Sequence, residues 1–408
     1  MAKSSCRNSA ERPRSLAPAL ASAALTGALA VGAMAVPCAQ QGPAAAASAL
    51  LQQAAEAEAT GRIDVALDRL YTLQLEHPRT SDALIARTPL ARLLILQGDL
   101  PSAALQAQAL RDDSPPESPQ RQATLDFATL VARRLRAKSP SAMYGAPDAL
   151  AASGLAKLDE PTALMFESSG ALLLVDQGDK RVYRILGGTT TTLNVAQEPT
   201  AAAPAGSTLI VGGKNGLTAS PAGAPLPATG TWGGKARAVK KIRSVAANSR
   251  GDLFVVDRDY DGLLRCAAGA TSCAPWGPPG KLRVVKIGPS DLVVTLLDKP
   301  NVVRVVDPAG KLLTAIGPSI GATQLKTTVD VEMDHAYSLY VLDGDLRRVD
   351  IVALRVGADG RTSAESIGTI AIPTEGERAI KNPSALAVSP DGTIVVAGKG
   401  TSQLLRFR

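Results

Sequence analysis

Histidine is nearly absent: His77 and His335 are the two in 408 residues. That scarcity excludes zinc centres built on clustered imidazoles. Aromatic side chains make up 3%, too few for base-stacking platforms, and nucleic acid is excluded as a partner. Cysteine is scarce as well. Cys6 and Cys38 lie near the N-terminus, which leaves Cys266 and Cys273, seven positions apart. No Cys-x-x-Cys is present, so the pair does not point to redox chemistry; in an oxidising compartment its spacing suits a disulfide across a local hairpin. Charge of one sign is not dominant either. Lysine and arginine number 44 against 37 acidic residues, and beyond residue 35 the balance is 40 against 36. So mild a surplus leaves soluble, polyanion-binding and membrane-surface proteins open, and only a local cluster argues for an acidic partner.

What is present falls into three stretches. Lys3, Arg7, Arg12 and Arg14 precede an uncharged Ala- and Leu-rich run, Leu16 to Val36, with Ala33-Met34-Ala35 as a small-x-small cleavage pattern. Residues 1–35 therefore read as a signal peptide, and the chain as periplasmic or secreted. Pro37 before Cys38 speaks against a lipoprotein signal. The run is long enough to cross a bilayer but only weakly apolar, so membrane association follows only if the signal is retained.

From residue 44 to 138 Ala and Leu recur at three- and four-residue steps, the period of helices. One hairpin runs through Leu50, Ala54 and Ala57, turns at Gly61-Arg62-Ile63-Asp64, and returns through Ala66, Leu67, Leu70 and Leu73 to His77-Pro78. A second uses Leu90, Leu93, Leu94, Gly98-Asp99, Ala103, Ala104 and Ala107 before Pro115-Pro116, and a further helix is expected from Gln120 to Lys138. Glycine at the turn and alanine after it let two helices approach closely. At these residues the segment resembles tetratricopeptide repeats.

Beyond a Pro-, Ser- and Gly-rich boundary the pattern becomes short apolar runs between turn residues. One unit recurs: Glu160-Pro161-Thr162-Ala163-Leu164 with Gly170 and Leu173-Leu174-Val175-Asp176; Asn382-Pro383-Ser384-Ala385-Leu386 with Gly392 and Ile394-Val395-Val396; and Val245 with Gly251 and Leu253-Phe254-Val255-Val256-Asp257. A third strand follows with an arginine in an apolar run, at Arg184, Arg265, Arg304, Arg348 and Arg406; the intervals are 81, 39, 44 and 58 residues. The first interval spans two repeats, with a degenerate unit from Glu198-Pro199 to Gly212, which makes six blades. These residues resemble NHL-type and related six-bladed β-propellers. The fold class expected is multidomain: an all-α helical-repeat segment over 44–138, then an all-β six-bladed propeller over 143–408. The last blade reaches only its third strand at Phe407, so residues 143–158 are expected to supply the closing outer strand. The strand arginines are expected to pair with loop carboxylates such as Asp176 or Asp257.

Inner strands of a propeller line its channel, and the equivalent positions at their starts read as Glu160, Glu198, Lys241, Leu282, Thr327 and Asn382. Gluconolactonase-like propellers hold a divalent ion there with Glu, Asn and Asp side chains. The resemblance thus implies Glu160, Glu198 and Asn382 as metal ligands, with calcium as the ion, whereas Lys241 in the same ring opposes a cation. Asp257-Arg258-Asp259-Tyr260-Asp261-Gly262 begins like a calcium loop, but Ala268 stands where the closing Glu belongs, and the plainer reading is an acidic turn. Gly317-Pro318-Ser319-Ile320-Gly321 matches a nucleophile elbow without the helix or histidine that it needs. Lys235, Arg237, Lys240, Lys241 and Arg243 form the densest basic cluster. It suits an acidic partner protein or a cell-envelope polymer, with a solvated loop as the plain alternative.

With no catalytic constellation and no cofactor expected, the sequence points to an exported envelope protein. It would act as a non-catalytic scaffold for a protein or ligand through helical repeats and propeller. The alternative is a metal-dependent propeller enzyme, a gluconolactonase-like lactonase or lyase, with its site at the channel.

Overall fold

The structure is a computed structural model that describes residues 42–408 other than 119–120, 137–142, 222–225, 322, 358 and 377. The proposed signal peptide and Cys38 lie outside the described residues.

Among the described residues five helices come first: α1 (Pro43–Ala59), α2 (Ile63–Glu76), α3 (Ser81–Gln97), α4 (Leu100–Asp113) and α5 (Arg121–Arg136). Their limits follow from local chemistry. The Thr80 hydroxyl accepts the Ala83 N–H and starts α3, Gly98 ends it at φ 86°, and the Asp99 carboxylate accepts the Ser102 N–H to start α4. These are the capping roles that such residues fill at orphaned backbone groups. Ala83, Ala86, Leu90, Leu93, Ala103 and Ala107 are buried in one apolar core, within which α3 packs against α4.

Strand β1 (Asp148–Leu150) precedes the ring. The first blade is β2 (Pro161–Phe166), β3 (Leu172–Asp176), β4 (Arg181–Leu186) and β5 (Thr189–Leu193); the second has three strands among the described residues, β6 (Pro199–Ala205), β7 (Thr208–Gly213) and β8 (Gly216–Ser220). A hairpin of β9 (Thr229–Trp232) and β10 (Lys235–Ala238) widens the third blade, β11 (Ile242–Ala247), β12 (Leu253–Asp257), β13 (Leu263–Cys266) and β14 (Ser272–Trp276), with β9 parallel to β14. The fourth is β15 (Leu282–Ile287), β16 (Val293–Leu297), β17 (Val303–Val306) and β18 (Leu312–Ile316), followed by the short pair β19 (Ser319–Ile320) and β20 (Thr323–Gln324). The fifth is β21 (Thr328–Met333), β22 (Ser338–Asp343), β23 (Arg348–Val356) and β24 (Thr362–Ala371); the sixth is β25 (Pro383–Val388), β26 (Ile394–Gly398) and β27 (Leu404–Phe407). Together they form a six-bladed β-propeller behind the helices. The sixth blade takes β1 as its fourth strand, antiparallel to β27 with Asp148 opposite Arg406. Arg406 seals the join with two charge-assisted bonds to the Asp148 carboxylate, at 2.8 and 2.7 Å.

Fully buried second strands (β3, β12, β16, β22, β26) explain the unbroken Val and Leu runs, since both faces pack against other blades. Three of these strands end in aspartates with at most 1% exposure: Asp176, Asp257 and Asp343. Asp176 accepts the backbone N–H groups of Asp159 and Glu160, at 2.9 and 2.8 Å, and also those of Gly178 and Asp179. Asp257 does the same for Lys240, and Asp343 for Lys326 and Thr327. Each clasps the chain as it enters its own blade's inner strand. This corrects the expected partners of the strand arginines. Arg184 pairs with Glu167, Arg265 with Asp252 and Arg348 with Asp350, while Arg304 donates to the Pro279 carbonyl. The carboxylates of Asp176 and Asp257 are already committed to backbone donors.

The helices and the propeller form one compact unit, Gly42–Arg408. Leu93, Leu94 and Leu130 share a core with Val294, Met333, Tyr337 and Leu354 of the fourth and fifth blades. A polar seam borders it: the Glu58 carboxylate accepts from the Tyr337 hydroxyl at 3.1 Å and from Ser290, Arg134 donates to Ala336 O at 2.6 Å, and Arg355 to Ile95 O at 3.0 Å. At Gly392, φ 82°, a β-carbon would stand 2.6 Å from Leu130, so glycine there admits α5.

Replacing Asp176 by Ala removes the buried acceptor shared by four partly buried N–H donors, and we expect a loss of about 3 kcal/mol in urea unfolding, with a smaller loss for Asp176→Asn. Equal stability of Asp176→Ala and the parent would refute the clasp.

Candidate functional site in the central channel

The six inner strands surround a cavity of about 1130 Å³, lined from Glu160, Glu198 and Lys241 at one mouth to Glu167, Asp334 and His335 at the other end. Adjacent inner strands are too far apart at the axis for a continuous backbone ladder, and side chains bridge them instead. The second residue of the strand does this in five of the six blades. Thr162 donates to Thr200 O at 2.9 Å, Thr200 to Ile242 O, Arg243 to Leu282 O at 3.4 Å, Arg283 to Thr328 O at 3.1 Å, and Ser384 to Pro161 O at 2.8 Å. Only the fifth blade, with Val329, omits the link among these equivalent positions.

The two arginines converge on one carboxylate. Arg243 Nη1 lies 3.2 Å from Asp298 Oδ2, while Arg283 donates through Nε and Nη2 to Oδ1 at 3.1 and 2.9 Å. Burial opposes the Asp298 charge, but Arg243 and Arg283 hold its carboxyl below the usual range. Deeper in the channel Lys286 reaches Glu332 at 3.0 Å and Asp330 at 3.8 Å, and donates to Leu164 O of the first blade at 3.2 Å. Asp330 in turn accepts the Leu386 N–H of the sixth blade at 2.9 Å. This cluster ties four blades together across the axis. Burial pushes Asp330 up to about 6 against the pull of Lys286; burial opposes the Lys286 charge too, but Asp330 and Glu332 keep its ammonium above the ordinary range.

The structure sorts the residues singled out in the sequence. Glu160 and Glu198 line the same mouth, with Glu198 paired to Lys180 at 2.6 Å, whereas Asn382 lines a separate depression beside Lys381 and Lys399. The residue equivalent to Glu160 in the fourth blade is Lys281, not Leu282, because β15 begins at Leu282. Among the described residues no three His, Cys, Asp or Glu side chains gather as a metal site. The basic cluster divides. Lys235 and Arg237 lie on exposed β10, with Arg237 5.7 Å from the Trp232 ring; Lys241 sits at the channel mouth, 2.8 Å from Asp259; Arg243 is inside. Lys240 is exposed and held by its backbone. In the loop that begins like a calcium site, Asp257 is buried on backbone donors and Asp259 faces Lys241, which makes it a turn. Ser319 lies in β19 and no helix follows it among the described residues. Cys266 and Cys273 form a disulfide between β13 and β14.

Sequence reasoning missed Arg283, Lys286, Asp298, Asp330 and Glu332. The signal was there: Leu282–Ile287 and Thr328–Met333 carry charges inside otherwise apolar inner strands.

No protein-family model matches this chain, and the comparison with curated proteins finds no match. Solved structures with a similar fold include a streptogramin B lyase (12% identity, covering 65% of this chain and 98% of that one, TM-score 0.43). A gluconolactonase from Xanthomonas campestris is similar at 10% identity, covering 62% and 86%, with TM-score 0.44. So is a putative 6-phosphogluconolactonase from Bacteroides uniformis, at 15%, covering 60% and 79%, with TM-score 0.42. At such identities the likeness speaks of fold alone.

Because folding raises the Asp330 pKa, its charge is a cost above about pH 6 that is relieved as pH falls towards 4. Asp330→Asn keeps an acceptor for Leu386. We expect it to melt at or above the parent temperature at pH 7 and to flatten the profile between pH 4 and 6. Lys286→Met should instead cost about 3–5 kcal/mol by leaving two carboxylates without a cation. Thermal melts from pH 4 to 8 check both.

Proposed function

We propose that this is an exported binding protein of the cell envelope, a non-catalytic scaffold in which the propeller channel receives a ligand and the helices serve a protein or polymer partner. The observation that carries the reading is the state of the channel wall. Most of its inner polar groups already engage one another, Lys286 with Asp330 and Glu332, Arg243 and Arg283 with Asp298, and Thr162, Thr200 and Ser384 with neighbouring carbonyls, while donors of Arg243 remain open to the cavity. Such a wall is rigid before a ligand arrives, which lowers the ordering cost of binding. It is large enough for a ligand of ordinary size. In this reading the antiparallel helices of residues 44–138 are tetratricopeptide-like hairpins and the blades are of NHL type. Export is supported by the basic-then-apolar N-terminal stretch and by the Cys266–Cys273 disulfide, a bond that persists in oxidising compartments. Among the described residues no helix is long and apolar enough to cross a membrane.

Protein purified from the periplasm without chelator provides the test. Elemental analysis is expected to find no stoichiometric divalent ion, and a ligand panel to raise the melting temperature saturably while mass spectrometry finds every ligand unchanged. A bound ion that stabilises the fold, together with steady turnover, would put the metal-dependent lactonase or lyase reading in its place and bring Glu160 and Glu198 at the channel mouth forward.

A further inference from the structure

At the second position of the inner strand, the first, second and sixth blades carry Thr162, Thr200 and Ser384, and a hydroxyl is enough to reach the next blade's carbonyl. The third and fourth blades carry Arg243 and Arg283 there and make the same link. The link therefore does not account for the guanidinium. What arginine adds is a fixed charge and a fork of donors suited to carboxylate and phosphate oxygens.

That charge is not cancelled locally. Both guanidiniums share the single Asp298 carboxylate, which leaves one positive charge over. Among the described residues Nε and Nη2 of Arg243 take no protein partner, and the residue lines the cavity. Around the mouth above stand Lys180, Lys214, Lys241 and Arg258 with Glu160 and Glu198; Lys180 is paired with Glu198 and Lys241 with Asp259, while Lys214 and Arg258, against the single Glu160, enter no ion pair among the described residues. Beneath the arginines the balance reverses, with Lys286 facing both Asp330 and Glu332. The field thus draws an anion into the mouth and stops it part-way along the channel.

We propose that the mouth-side half of the channel is a binding site for a carboxylate- or phosphate-bearing ligand, its anionic group held by Arg243 and Arg283. The inference rests on the binding reading above and names the ligand class for it.

Arg243→Thr and Arg283→Thr, made singly, test it. Each keeps the blade-to-blade link in the form that Thr162 uses and leaves Asp298 one arginine. Calorimetric titration of the full protein uses citrate, inorganic phosphate and a galacturonic acid trimer as anionic probes and maltose as the neutral one. We expect one-to-one binding of at least one anionic probe, weakened about tenfold or more in either variant and by added salt, and unchanged in Lys235→Ala/Arg237→Ala. Which anion binds separates a free phosphate, a small carboxylate and an acidic polymer end. Full affinity in both threonine variants, or no anion bound, overturns the proposal. Should the variants not fold, arginine modification by phenylglyoxal in the parent protein decides: citrate or phosphate must shield Arg243 and Arg283, and labelling indifferent to every anion refutes the site. Maltose bound while anions are ignored would defeat this inference and spare the binding reading. Consumption of an anionic probe, still dependent on Arg243, would defeat the binding reading and spare the anion site.

Discussion

The buried carboxylate at the end of a blade's second strand is the constraint on which the rest depends. Carboxyl oxygens removed from water need several donors, and Asp176 finds them in the backbone that enters its own inner strand and in the turn after the aspartate itself. The clasp fixes where that strand begins. It therefore fixes which residue comes second and reaches the next blade, and which side chains face the channel. Asp257 and Asp343 repeat it in the third and fifth blades, so alternate blades carry the same anchor. Charge at the axis is organised by the same logic: an arginine or lysine is tolerated where a carboxylate on a neighbouring strand or turn is positioned to meet it.

Much of this was legible in the sequence, for a physical reason. The helical hairpins show in Leu and Ala spacing because each helix buries one stripe, and their ends show in Gly98-Asp99 and Pro115-Pro116 because caps and breakers act locally. The propeller shows because each blade repeats the same packing problem. The disulfide between Cys266 and Cys273 follows from a short hairpin with few other partners.

The channel was harder. Lys286 meets Asp330 and Glu332 from another blade and Leu164 from across the axis, contacts that no local pattern encodes. The one-residue misplacement at Leu282 arose because the fourth blade has Lys281 where other blades carry Glu160 or Asn382, so the type of residue gave no warning. The strand arginines were recognised as architectural, but their partners were misassigned: Asp176 looks like a free carboxylate until its backbone donors are seen. The basic cluster was read as one feature because its members are neighbours in sequence. A strand edge, a channel mouth and a channel wall divide it, since side chains in a strand alternate between faces and the turn before β11 redirects the chain.

The sixth blade joins residues 148–150 to residues 404–407 in one sheet. Its closure makes the ring a clasped belt rather than a stack of beads. As the chain emerges, the five helices and the early blades can form from nearby segments, but the buckle stays open until β27 has appeared. Strand β27 thus joins β1 to β26, and the channel acquires its full wall in that step. Until residues 148–150 and 404–407 have met the ring stays open, and the cavity comes into being only when both ends of the belt are in place.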